Sequence, residues 1–141
     1  MGNRAVITAS KTPTSVGIYL HWNGGLESVQ AFLDVARARD FRDPASDESY
    51  AMARLTGLIH EFFGVYSSTS LGIGALCNLD TDNWDNGTYV IGDDWKIVER
   101  YGKGSSPLTD NSISEARNSE KYAKIVSDLS LTVNELGLTQ D

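Results

Sequence analysis

The stretch from Val16 to Ala36 constrains the fold most, because its hydrophobic period changes in the middle. Val16, Ile18, Leu20 and Trp22 alternate with Gly17, Tyr19 and His21, the period of two that belongs to a β-strand. From Leu26 the apolar residues fall at Val29, Phe32, Leu33 and Ala36, the spacing of one helical face. Only Asn23-Gly24-Gly25 separates the two patterns. The alternation places Tyr19 and His21 on one face of the strand and Trp22 on the other. Large groups on both faces predict an interior strand that runs almost directly into a helix.

The flanking sequence completes the pattern. Arg4 to Thr8 reads as a first strand, ended by the polar loop Lys11 to Ser15. Gly25 or Asn23 is the expected cap of the first helix, with Glu27 in its first turn. A second helix is expected after Ser46 as N-cap, with Met52, Leu55, Leu58, Ile59, Phe62 and Phe63 on its apolar face and Gly64 at its end. Ser67 to Leu79 is rich in Ser and Gly and predicts no more than a short strand or turn around Leu71 to Leu76. Thr88 to Ile91 and Asp94 to Tyr101 predict a hairpin turning at Gly92-Asp93. Ser112-Ile113-Ser114-Glu115 matches a capping box, and Tyr122, Ile125, Val126, Leu129, Val133 and Leu136 predict a last helix with a break near Ser130. The order β-β-α-α-β-β-α predicts an α+β domain spanning 1–141, with an antiparallel sheet of about four strands and its helices on one face.

Charge narrows the classes of partner. Twelve Lys and Arg against nineteen Asp and Glu give a net charge of −7. Binding along a nucleic-acid backbone requires basic residues that neutralise phosphates, so the charge balance argues against that class. No apolar run approaches the roughly 18 residues of a membrane span. The N-terminal residues lack the apolar stretch of a secretory leader, and the lone Cys77, expected to be buried and inert, fits a reducing cytoplasm.

Asn23-Gly24-Gly25 at a helix start is a setting for anion binding, since unpaired amides point outward there and the helix dipole adds positive character. It matches neither of the glycine patterns that bind nucleotide phosphates, and Glu27 competes for the same field. The other account is a strand-to-helix turn that needs glycine for backbone reasons. His21 and His60 are the only histidines, too few with one cysteine for a closed zinc site. His60-Glu61 has the elements of a general-base pair, but Phe62, Phe63 and Gly64 do not continue it into a zinc-protease motif. Asp80-Thr81-Asp82-Asn83-Trp84-Asp85-Asn86-Gly87 resembles a calcium loop only superficially, because Trp84 and Asp85 stand in the wrong slots. Asp and Asn side chains bonding their own backbone are the better account of that segment. No cofactor or metal is implied.

The opening Gly2-Asn3-Arg4-Ala5-Val6-Ile7, the segment Gly17-Ile18-Tyr19-Leu20-His21-Trp22-Asn23-Gly24-Gly25 and the helix through Ser28-Val29-Gln30-Ala31-Phe32-Leu33 resemble a group of small proteins carried by bacteriophages and prophages. The resemblance covers about the first forty residues, with a looser echo at Arg54-Leu55 and at Asp85 to Tyr89. It implies the cytoplasm of an infected bacterial cell and carries over no catalytic residue. The leading expectation is a non-catalytic accessory protein that counters host immunity by sequestering a small nucleotide-derived signal. Its ligand-binding residues are expected to be Tyr19, His21, Trp22, Asn23, Gly24 and Gly25, with Arg4 and Arg54 supplying positive charge. A second expectation is an acidic inhibitor that presents Asp80, Asp82, Asp85, Asp93 and Asp94 to a basic host protein. A small hydrolase using His21 or His60 is the third. Symmetric homo-oligomerisation is compatible with a chain of this size.

Overall fold

In the computed structural model, which describes residues 2–64, 71–129 and 136, five strands form one mixed sheet in the order β3-β2-β1-β4-β5. β1 (Ala5–Thr8) pairs antiparallel with β2 (Val16–Leu20), and β2 pairs antiparallel with β3 (Leu71–Ala75). β4 (Thr88–Ile91) lies parallel to β1 in the register Val6↔Thr88, and β5 (Ile97–Tyr101) completes an antiparallel pair with β4. The expectation of a four-stranded antiparallel sheet is corrected on two counts: a fifth strand lies within the Gly-rich stretch, and one pairing at the centre is parallel. β2 is an interior strand, as its two-sided bulk implied.

The α+β class is borne out, with four helices among the described residues. α1 (Leu26–Ala38) and α2 (Glu48–Phe63) follow the expected apolar spacing. Asp47, not Ser46, caps α2, its side chain accepting from the Tyr50 amide, and Gly64 ends the helix at φ 73°. The expected last helix divides in two, α3 (Asp110–Arg117) and α4 (Glu120–Asp128). The capping box is formed by Thr109 and Ser112 instead of Ser112 and Glu115, and Ser119 starts α4 by accepting from the Tyr122 amide. Val133 and the expected break near Ser130 lie outside the described residues.

The core lies between the helices and the sheet face bearing Ala5, Ile7, Ile18, Leu20, Tyr89 and Ile91. α1 is the central element: every residue from Ser28 to Ala36 is buried, polar ones included. A helix covered on only one side would show a polar face to water. Here α2 packs along one flank of α1, while α3 and α4 cover its polar stripe. On the opposite sheet face, Leu76 and Leu79 lie against Gly17 and complete a smaller apolar layer with Val6. Cys77, beside Leu76, is exposed and not buried as expected, because the short 3-10 turn Leu76–Asn78 points it to solvent.

Covering that polar stripe buries a charge. Asp34 on α1 is fully buried and receives Arg117 through two bonds of 2.9 Å, Nε to Oδ2 and Nη2 to Oδ1. Tyr122 donates its hydroxyl to Oδ2 at 2.5 Å, Gln30 donates its amide to Oδ1 at 3.0 Å, and Arg37 approaches Oδ1 at 3.3 Å. Each lone-pair direction of the carboxylate is used, which is the condition for holding a charge away from water. The hub ties α1 to α3 through Arg117 and to α4 through Tyr122. Burial and the adjacent carboxylate push the Tyr122 hydroxyl far up, so it stays a donor at any ordinary pH.

Asp34→Ala is expected to lower unfolding stability by about 3 kcal/mol, the low end for breaking a buried pair, because Arg117 retains partial access to water. Urea denaturation measures this. A loss below about 1 kcal/mol would mean that apolar packing alone holds α3 and α4.

Candidate functional site

The end of the sheet where β1 and β4 begin and β2 finishes gathers most of the expected residues. β2 ends at Leu20, short of the expected Trp22, but the chain keeps one more rung on β1: the Asn3 amide donates to the His21 carbonyl at 2.9 Å. The Gly24 amide then donates to the Asn3 carbonyl at 2.8 Å, and the Tyr89 hydroxyl donates to the Gly24 carbonyl at 2.8 Å. Both polar backbone atoms of Gly24 are therefore used inside the protein. A Cβ at this position would lie 2.5 Å from the Asn3 carbonyl oxygen and 2.7 Å from the Ala5 Cβ. The glycine is there because β1 passes too close for any side chain.

Asn23 adopts φ 61°, the left-handed conformation that asparagine tolerates better than most residues, and its amide reaches the Ser28 hydroxyl at 3.4 Å. Gly25 is the N-cap of α1 and makes no side-chain cap. The Glu27 carboxylate folds back to 3.0 Å from where a Gly25 Cβ would be, placing a negative charge at the helix start. Asn23, Gly24 and Gly25 thus serve the strand-to-helix turn, and the helix start meets this chain's own carboxylate.

The side chains that do face a common space are those of Arg4, His21 and Asp85, which with Gly2 line a half-open recess of about 330 Å³. Arg4 precedes β1, His21 follows β2 and Asp85 precedes β4. Asp85 Oδ2 accepts from both the Arg4 Nε at 2.9 Å and the Arg4 backbone amide at 3.0 Å. Those bonds hold the Asp85 carboxyl below its usual range and raise the Arg4 guanidinium in turn. Arg4 Nη1 is 4.0 Å from Asp80, which leaves the outer edge of the guanidinium short of a close partner. The Tyr19 hydroxyl sits 2.8 Å from His21 Nδ1, as their shared strand face implied, and burial raises the tyrosine so that it stays protonated. When that hydroxyl donates to Nδ1, the imidazole proton resides on Nε2, the nitrogen beside Gly2 at the recess. Trp22 packs edge-on against His21 with ring centroids 5.2 Å apart and leaves 44% of its surface exposed.

Asp85 is positioned by a residue whose importance the sequence did not show. Asn83 is fully buried and ties the loop to itself. Its side-chain amide donates to the carbonyls of Asp80 and Gly87, both at 3.0 Å, and its side-chain oxygen accepts from the amides of Asp85, Asn86 and Gly87 at 2.9–3.2 Å. Asn86 then bonds Asn3 Oδ1 and the Arg4 carbonyl, fastening the loop to the start of β1. The expectation that side chains of this segment bond local backbone is borne out for Asn83 alone; Asp82 and Asp85 instead accept from the distant Lys103 and Arg4 amides. Trp84 is carried on it at φ 66° with 70% of its surface exposed, and Lys103 lies 5.1 Å from its ring centroid.

Other expected residues lie elsewhere. Arg54 stacks on Tyr50 and Phe41, the latter just beyond the C-terminal end of α1, roughly 20 Å along that helix from the recess. The five aspartates do not form one patch. Asp80, Asp82 and Asp85 precede β4, whereas Asp93 and Asp94 follow it. Asp82 is also engaged, accepting from the Lys103 amide at 2.9 Å, and the Asp94 amide donates to Asp43. His60 is exposed on α2 and does not line the recess, and its neighbour Glu61 is held by Arg39 at 2.7 and 3.1 Å. Among the aromatics outside helices, Tyr89 and Trp95 belong to the core, and Trp22 and Trp84 face solvent.

Two outcomes follow for stability. Asn83→Ala leaves the buried Gly87 amide without a partner and is expected to lower stability by about 2–3 kcal/mol in denaturant unfolding; a loss within about 0.5 kcal/mol would contradict the role given to Asn83. For Asp85, a folded-state value below the ordinary 3.8 means that its contribution is present above that pH and is lost as pH falls through the folded value. Wild type is therefore expected to exceed Asp85→Asn in stability at neutral pH, with the gap closing in acid below 3.8. A gap that is constant or widens on acidification would contradict the pairing with Arg4.

Comparison with protein-family models, curated proteins and solved structures finds no match to this chain.

Proposed function

We propose that the protein is a non-catalytic binding protein that sequesters a small nucleotide-derived signalling molecule, acting as an accessory factor against host immunity during phage infection. The observation that carries this reading is the convergence of Arg4, His21 and Asp85, from three separate segments, on one recess with the exposed Trp22 ring packed against His21. Its volume of about 330 Å³ lies at the lower end of the range for small-molecule sites. The groups present match the parts of a nucleotide. Arg4 and the outer nitrogen of His21 suit phosphate or carbonyl oxygens, Asp85 suits an amino or ribose hydroxyl donor, and the Trp22 indole, outside the recess lining but packed on His21, suits the flat base.

Sequestration is favoured over turnover because the polar groups are already committed to one another. Arg4 is held by Asp85, and the nitrogen of His21 away from the recess is held by Tyr19. Such a set orients a ligand and contains no serine, threonine or cysteine nucleophile. The infected bacterial cell as the setting rests on the resemblance of the N-terminal forty residues. No described helix is long and apolar enough to cross a membrane, which is consistent with a dissolved ligand.

Isothermal titration against cyclic mononucleotides, cyclic dinucleotides and cyclic ADP-ribose isomers is expected to find a ligand that binds once per chain. Arg4→Ala and His21→Ala should each weaken it by about tenfold or more, the effect of losing one charge-assisted bond. Arg54→Ala should leave affinity unchanged. No heat with any member of the panel, or equal loss from Arg54→Ala, would overturn the reading.

A further inference from the structure

The two edges of the sheet differ in a way that points to self-association. β5 carries the charges Glu99 and Arg100, and its pairing with β4 is interrupted by an irregularity between Val90 and Ile91. Charges and bulges are the ordinary means by which an edge strand avoids recruiting another strand. β3, at the other edge, has none of them. It reads Leu71-Gly72-Ile73-Gly74-Ala75, with no charge and no proline, and Ile73 leaves 58% of its surface exposed. Among the described residues no strand pairs with its outer side.

The sequence of β3 is also nearly the same read in either direction about Ile73. In an antiparallel pair related by a two-fold axis through that residue, Ile73 of one copy faces Ile73 of the other. Gly72 then faces Gly74, and Leu71 faces Ala75. Each large side chain meets a small one or its own equal, so the register is free of clashes on both faces. Shifting it by one residue would set Ile73 against glycine and lose the one close apolar pair. Ile73 pairs with Ile18 within the sheet, so it lies on the helix-bearing face, and burying it extends the apolar layer already there.

We infer that two copies of this chain associate through β3, in an antiparallel pairing centred on Ile73 that joins two five-stranded sheets into one. The proposal is independent of the recess, which lies at an end of the sheet.

Sedimentation velocity at about 100 µM, where mass action favours weak pairs, is expected to show a dimer that dissociates on dilution. Ile73→Lys should be monomeric with an unchanged circular dichroism spectrum. A wild-type protein that stays monomeric, or a folded Ile73→Lys protein that still dimerises, would overturn the proposal. Should the lysine variant fail to fold, cross-linking decides. In a Cys77→Ser background, Ile73→Cys should form a disulfide-linked dimer on mild oxidation at least about tenfold faster than Val98→Cys at the other exposed edge, because pairing raises the effective thiol concentration. Equal rates would overturn it.

Discussion

β1 and β4 run side by side in the same direction at the centre of the sheet, so the segments that enter them emerge at one end. With Val6 opposite Thr88, Arg4 falls beside the loop that carries Asp85 and Asn86. β2 runs the other way against β1 and therefore delivers His21 and Trp22 to that same end. An antiparallel β1–β4 pair would have sent the Asp85 loop to the far side of the sheet. The recess is thus a consequence of strand direction before it is a consequence of side-chain chemistry. Asn83 satisfies the backbone of the loop and Asn86 fastens it to β1.

The sheet needs α1 in place, since the chain passes from β2 to α1 through the very turn that forms one side of the site. Apolar packing fixes one side of α1. The polar side is fixed by Asp34, which binds Arg117 and Tyr122 and so closes α3 and α4 over the helix. A buried carboxylate is a costly device compared with an apolar contact of similar size. Its effect is directional: only one orientation of α3 and α4 satisfies its oxygens, where a greasy surface would accept several. Gly24 plays the matching part at the helix start, letting β1 and the turn approach closely enough for Tyr89 to bond the turn from below.

Much of this was legible in the sequence because it is local. The change of period between Val16 and Ala36 gave the interior strand and the central helix, and the apolar stripe of Met52 to Phe63 gave the second. The Thr88–Tyr101 hairpin also reads directly, although Trp95 turns inward at φ 60° and lengthens its connection. What could not be read is non-local or lacks a period. Nothing in Ala5–Thr8 says that its second neighbour lies more than eighty residues away and parallel. β3 alternates glycine with apolar residues, a weak period that allowed a short strand around Leu71 to Leu76 but equally a turn. The polar residues Gln30 and Asp34 look like the wet face of a surface helix until Arg117 and Tyr122 are set over them. In the site, Arg4 and His21 stood out by type, but Asp85 belonged to a different hypothesis, an acidic surface, and only its approach to Arg4 joins the two. Arg54 was grouped with them on charge alone, which carries no position.

The parallel register of β1 and β4 is the claim from which the rest follows, and interstrand nuclear Overhauser effects test it most directly. The account predicts contacts linking Val6 with Thr88 and Thr8 with Val90, advancing together along both strands, together with contacts between the His21 ring and Gly2. Contacts that advance in opposite directions along the two strands would contradict it, and with it the joining of Arg4, His21 and Asp85 in one site.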